Sequence, residues 1–268
     1  MNLLGHQKAA YEIMMQLFTP ETCMQSETHR KITAWYIRFD IMAGLMSGNE
    51  TTLSREWHAA ASDFHTQRAR AKPDDLPVGI AAAFAVSRLL ATDISLVFGK
   101  KAKGLMTDEE FMVVLGEMKQ RLAETEHYFA TAFSDRRVYV KDFPPPAEGE
   151  VENDVVDPRD PNFVLTGDMW TWNFVLLDFW GLSVMFKSQL AQIDPTVDIQ
   201  EAIDAAHNVG KMYEALQLTS KDPKAVTLGA QASVGIAATA MPKDHKHIMW
   251  CRRKYAQIET CGYVATRP

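Results

Sequence analysis

Apolar residues recur along this chain at helical spacing. Between Lys8 and Phe18 they fall at Ala9, Ala10, Ile13, Met14 and Leu17, one face of an amphipathic helix. Thr19-Pro20 ends that segment, because the residue before a proline disfavours α geometry. The same periodicity predicts helices over 26–46, 54–70, 77–98, 107–133, 198–217, 223–240 and 244–260. Ser54 is placed to cap the helix that follows it. Thr107 with Glu110 three residues later spells a capping box. Another helix starts at Asp168, with Trp172, Val175, Leu176, Phe179, Leu182 and Phe186 along one face. Trp170, Trp180, Val184 and Met185 occupy its other faces, so it is expected to be buried on most sides. No segment alternates with period two.

The stretch from Asp142 to Pro161 breaks the pattern with five prolines and many acidic residues. It reads as a long loop over the surface, residues 142–162, with little to bury. The expected fold is all-α: a single domain of about eight to ten packed antiparallel helices carrying one Pro/acidic loop.

Composition adds bounds. The chain has 268 residues, 47% of them hydrophobic and 23% charged, enough for a substantial core. Its formal net charge of -6 gives no overall basis for binding phosphate backbones. Cys23, Cys251 and Cys261 form no disulfide framework, which fits an intracellular setting, cytoplasmic or nuclear. The first residues lack the basic and apolar regions of a signal peptide. The most apolar run, Phe174 to Phe186, is too short to span a bilayer, and no membrane partner is expected.

Signatures of nucleotide binding and of a nucleophile elbow are absent. Asp74-Asp75 lacks the second half of an aspartate-rich diphosphate motif. His245, His247 and Cys251 approach metal-ligand spacing without a fourth ligand, so no metal and no cofactor are expected. Lys243, Lys246, Arg252, Arg253 and Lys254 form the main basic cluster, interrupted by Asp244, and are expected to be solvated rather than bound to nucleic acid.

Two groups invite chemistry. Arg38 and Asp40 sit inside an apolar helix, where each charge needs a partner. They either line a binding site or join a buried ion-pair network with Arg55 or Glu56. Trp57-His58, with Asp63 and His65 nearby, offers an acid/base histidine or a hydrogen-bonded structural one. Asp40 and His58 are therefore the catalytic candidates. Tyr36, Arg38, Trp57, Trp170 and Trp172 are the substrate-binding candidates, as an aromatic pocket wall between the Trp35 and Trp172 helices. The structural alternative for the aromatics is core.

The run from Trp35 to Gly48, followed by Leu53-Ser54-Arg55-Glu56-Trp57, resembles the regulatory domain of fungal zinc-cluster transcription factors. So do Gly167-Asp168 leading into Asn173–Leu190, Gln231–Ala237, Met241–Asp244, Trp250–Lys254 and Ile258–Tyr263. The resemblance runs in order over nearly the whole chain. It implies an all-α body serving regulation, dimerisation or effector response, and it supplies no catalytic residues. Three scattered cysteines do not build a Zn2Cys6 cluster, so direct DNA binding is not expected. Two functions follow as expectations. One is a binder of a small metabolite, a protein partner or a second copy of itself, linked to secondary metabolism. The other is a cofactor-free cyclase, isomerase or dehydratase acting on a secondary metabolite.

Overall fold

The Thr107 side chain accepts from the Glu110 amide at 3.1 Å, and the Glu110 carboxylate accepts from the Thr107 amide at 2.9 Å. This completes the capping box and starts a 24-residue helix. Asp75, Asp222 and Asp244 start helices in a related way, each accepting from the amide three residues on. The computed structural model describes residues 3–47, 50–145, 155–194 and 196–262. Among them are α1 (Leu3–Leu17), α2 (Glu27–Ser47), α3 (Arg55–Ala71), α4 (Leu76–Ala102), α5 (Asp108–Thr131), α6 (Trp172–Ile193), α7 (Gln200–Thr219), α8 (Pro223–Ala240) and α9 (His245–Thr260). The all-α class and the helix number agree with the sequence reading. The helices group into two compact units, one up to Ala132 and one from Phe133 onward.

In the first unit α4 is the hub, packed by α2, α3 and α5. Asp75 caps it by accepting from the Val78 amide, and Pro77 occupies its first turn. Its Ala-rich surface lets neighbours approach closely. At Gly99 the Glu50 side chain lies where a Cβ would stand, so a larger residue there would require Glu50 to move. Asp93, 7% exposed, is the electrostatic clasp of this unit. It receives Arg55 from α3 through two bonds, Nε to Oδ1 at 2.6 Å and NH2 to Oδ2 at 3.2 Å. Arg121 from α5 adds a third at 2.8 Å.

In the second unit α6, α7 and α8 pack mutually, and α9 packs on α8. Val175, Leu177, Phe179, Leu182, Val184 and Phe186 are all at most 2% exposed, so α6 is buried on several sides as its composition predicts. The structure opens this helix at Trp172 rather than Asp168, because Gly167–Met169 form a separate 3-10 turn.

Two corrections concern caps and loops. Ser54 makes no side-chain cap; its hydroxyl donates to Glu56 instead. The Pro/acidic loop has more to bury than its composition suggests. Residues 146–154 lie outside the described part, but Val156 and Pro158 are buried. The flanking segments pair, with the Val140 amide on Val164 O and the Thr166 amide on Val138 O, both at 2.8 Å. Lys211 of α7 pins the loop through Asp160 at 2.7 Å.

Two segments, Leu76–Ala102 and Gly167–Ile193, are long and apolar enough to cross a membrane by length and composition. This corrects the reading from the Phe174–Phe186 run alone. Their most apolar windows are 67% and 56% buried against the rest of the chain, as core helices are.

Candidate functional site

The residues expected to line one pocket are divided: Tyr36, Arg38, Asp40, Trp57 and His58 belong to the first unit, Trp170 and Trp172 to the second.

Asp40 is fully buried on α2. Its Oδ1 accepts from Gln7 Nε2 of α1 at 2.7 Å, from the Thr52 amide at 2.9 Å and from the Thr52 hydroxyl at 2.6 Å. Its Oδ2 accepts from the Leu53 amide at 2.9 Å. The Tyr36 hydroxyl extends the cluster, 3.0 Å from Gln7 O and 2.8 Å from Thr52 Oγ1. A general acid or base must offer an oxygen to a substrate, and this carboxylate is enclosed by four donors. Asp40 thus anchors the segment at Thr52 and Leu53, with its carboxylate occupied by donors of the chain itself. The expected network with Arg55 or Glu56 is not built at Asp40: Arg55 pairs with Asp93, and Glu56 accepts from the Ser54 hydroxyl. Arg38 is half-buried on the same helix.

Three of the four aromatic candidates are core. Tyr36 and Trp172 are 0% exposed and Trp57 2%. Phe133 meets Trp172 edge-on, ring centroids 5.2 Å apart. Trp170 is half-buried, and its carbonyl accepts from Asn173 Nδ2 at 3.0 Å. Asn173 also exchanges two bonds with the Leu165 backbone, at 3.0 and 2.8 Å, tying the loop to α6.

His58 alone of the expected site residues lines a described cavity. The cavity measures about 30 Å³, room for about two water molecules. Ala34, Ala61, Ala81 and Ala85 form much of its wall, so small side chains set its size. His58 Nδ1 lies 2.9 Å from Thr92 Oγ1, and Thr92 donates to the Arg88 carbonyl at 3.0 Å. The single hydroxyl hydrogen is thus committed, and the bond to the imidazole draws its hydrogen from Nδ1. Nε2 is left as a bare acceptor with no hydrogen-bond partner among the described residues. Burial pushes the ring down to about 4; Asp40 and Asp93 oppose this, and Arg88 and Arg55 reinforce it. His65, also on the wall, is pushed to about 4 by burial and by Arg68, Arg30 and Arg88.

In the second unit the metal-like spacing of α9 resolves differently. Asp244 caps α9 and accepts from His247 Nδ1 at 2.7 Å. The bond to His247 holds the Asp244 carboxyl below its ordinary value. His247 Nε2 meets His207 Nε2 of α7 at 3.0 Å, a separation for one shared hydrogen. Burial and then His247 lower the pKa of His207. Cys251 takes no part, and no three of His, Cys, Asp and Glu among the described residues could hold a metal. The basic cluster is partly consumed. Lys254 is 7% exposed and pairs with Glu214 at 2.5 Å, while Trp250 Nε1 donates to the same carboxylate at 2.9 Å. Lys243 donates to the Ala238 and Thr239 carbonyls at the end of α8.

At the surface of α2, Trp35 is 64% exposed and Ile32 36%. Phe39 stacks on Trp35, centroids 6.0 Å apart and planes 6° apart. Residues 32, 35 and 39 are i, i+3 and i+7, one stripe of the helix. The adjoining Glu27 and Lys31 pair with each other at 2.6 Å.

Gln7, Thr52, Thr92, Asp93, His207 and Glu214 escaped the sequence reading. Asp93 alone carried a signal, a single acidic residue inside the apolar α4 pattern. Comparison with protein-family models, with curated proteins and with solved structures finds no match to this chain.

Proposed function

We propose that this chain is a non-catalytic association module, a relative of the regulatory domain of fungal zinc-cluster transcription factors, that works by binding a second helical domain of its own kind. The observation that carries the reading is the α2 stripe: Trp35 stands 64% exposed, stacked on Phe39, while its chain neighbour Tyr36 is buried. Large flat aromatics are the usual anchors of protein interfaces. A stacked aromatic pair is also self-complementary, as the same patch on both copies of a two-fold pair must be. Glu27 and Lys31 pair with each other beside it, so neither presents an unpaired charge to a like face.

The fate of the polar candidates supports binding over turnover. Asp40 is enclosed by its four donors, and the His58 cavity admits about two waters rather than a metabolite. A cofactor-free cyclisation would need an accessible acid or base beside a substrate-sized space.

Sedimentation over a range of micromolar concentrations tests the proposal. The full chain is expected to associate reversibly. Trp35→Ala is expected to weaken that association about tenfold or more, the loss typical of an anchor residue. Its melting temperature should stay near that of the parent, because Trp35 contributes little burial within the chain. A chain that sediments as a monomer throughout, or a variant that associates as well as the parent, overturns the reading.

A further inference from the structure

We infer that the His58 cavity of the first unit is a binding site for a short neutral alcohol. The inference is independent of the association reading.

The acceptor comes first. His58 is 1% exposed, its Nδ1–H is committed to Thr92, and Nε2 finds no partner among the described residues. A buried acceptor left without a donor is costly, so this position calls for a molecule that brings an O–H or N–H. Fixing the proton on Nδ1 makes the requirement one-sided: a donor fits and a pure acceptor does not.

Walls and charge narrow the class. Ile37, Ala61 and Ala85 are buried and give the cavity an apolar floor, suited to a methyl or ethyl group. His65, Ala81 and Arg88 are half-buried, so this side forms a rim near solvent. The Arg88 guanidinium lies 4.9 Å over the Phe84 ring, with NH1 on the Ala34 carbonyl at 3.4 Å. Its charge disfavours a cation in the cavity, and the bare lone pair of His58 disfavours an anion. A neutral donor on a one- or two-carbon body satisfies these conditions, and the 30 Å³ admits it where a branched body would not fit.

Full-length protein with ¹⁵N-labelled histidine would be titrated with methanol, ethanol and tert-butanol. The Nε2 resonance of His58 is expected to move to lower frequency and to saturate with methanol and ethanol. tert-Butanol should produce at most a weak, linear drift. Ala61→Leu, which fills the floor and keeps His58, should weaken the ethanol response at least tenfold. Ala85→Val serves the same purpose if the first variant does not fold. A response that never saturates, or that is unchanged in the filled variant, identifies water as the sole occupant and overturns the inference.

Discussion

Asp40→Ala is expected to cost about 3–5 kcal/mol of folding stability, the range for stranding several buried donors at once after partial relaxation. The loss has little to do with the volume removed. Truncation strands the Gln7 side-chain amide and the backbone amides of Thr52 and Leu53, which donate to this carboxylate from two separate parts of the chain. Each stranded donor costs about 1–3 kcal/mol, and local relaxation recovers part of that. Asp40→Asn should fall between, since its oxygen can still serve the Oδ1 donors while its amide faces the Leu53 N–H. Urea denaturation measures the cost. Hydrogen exchange at Thr52 and Leu53 tests its location, because both amides should lose protection before the rest of the unit. A cost below about 1 kcal/mol would mean that the carboxylate does not anchor this loop.

The same cluster marks what a sequence reader can and cannot see. A charge inside an apolar helix announces that it needs partners, so Asp40 was legible as a special residue. Its partners were not. Two of its donors are backbone amides, which have no sequence signature, and Gln7 lies 33 residues away. The helices were legible because periodicity and caps are local properties. Thr107 behaves as its motif predicts, whereas Ser54 does not, because Glu56 two residues on competes for its hydroxyl. The aromatic residues were the least legible. Trp35 and Tyr36 are adjacent and similar in character, yet one is 64% exposed and the other fully buried. Helical phase separates them by about 100°, and the helices packed on α2, which are α1, α3 and α4, decide which face is covered.

His58 is legible from its chemical type, and the structure sets it on a cavity wall. Nothing in the sequence marks Thr92, whose hydroxyl selects the tautomer, or the alanines of α3 and α4 that leave the space. Thr92 and Asp93 are consecutive on α4, so one turn of that helix orients the imidazole and clasps α3 and α5. The first unit therefore places its buried electrostatics within a few residues of its cavity. Changes at Asp93 are expected to reach His58 through this shared turn.

Burial of the His58 ring makes the first unit acid-sensitive. Stability is expected to fall by about 3 kcal/mol from His58 alone as the pH drops from about 6.5 to about 4. The sign follows from the direction of the shift. Burial lowers the folded-state value from 6.5 to about 4, so the unfolded chain takes up the proton first. The contribution is complete above the unfolded value and is lost as the pH falls toward the folded one. Asp40 and Asp93 face the ring and favour its charged form, while Arg88 and Arg55 oppose it. Because the lowered value survives the two nearby carboxylates, desolvation is the dominant cause. His65 shifts in the same direction from a half-buried position and adds a smaller share. Carboxylates elsewhere titrate in the same window, so the measurement must be a difference. His58→Gln removes the titrating group and keeps a hydrogen-bonding side chain. Its stability should change less than the parent's between pH 6.5 and 4, whatever its stability at neutral pH. Parallel pH profiles for the two proteins would show that His58 takes up its proton as readily when folded as when unfolded, and that its ring is hydrated rather than sealed among alanines.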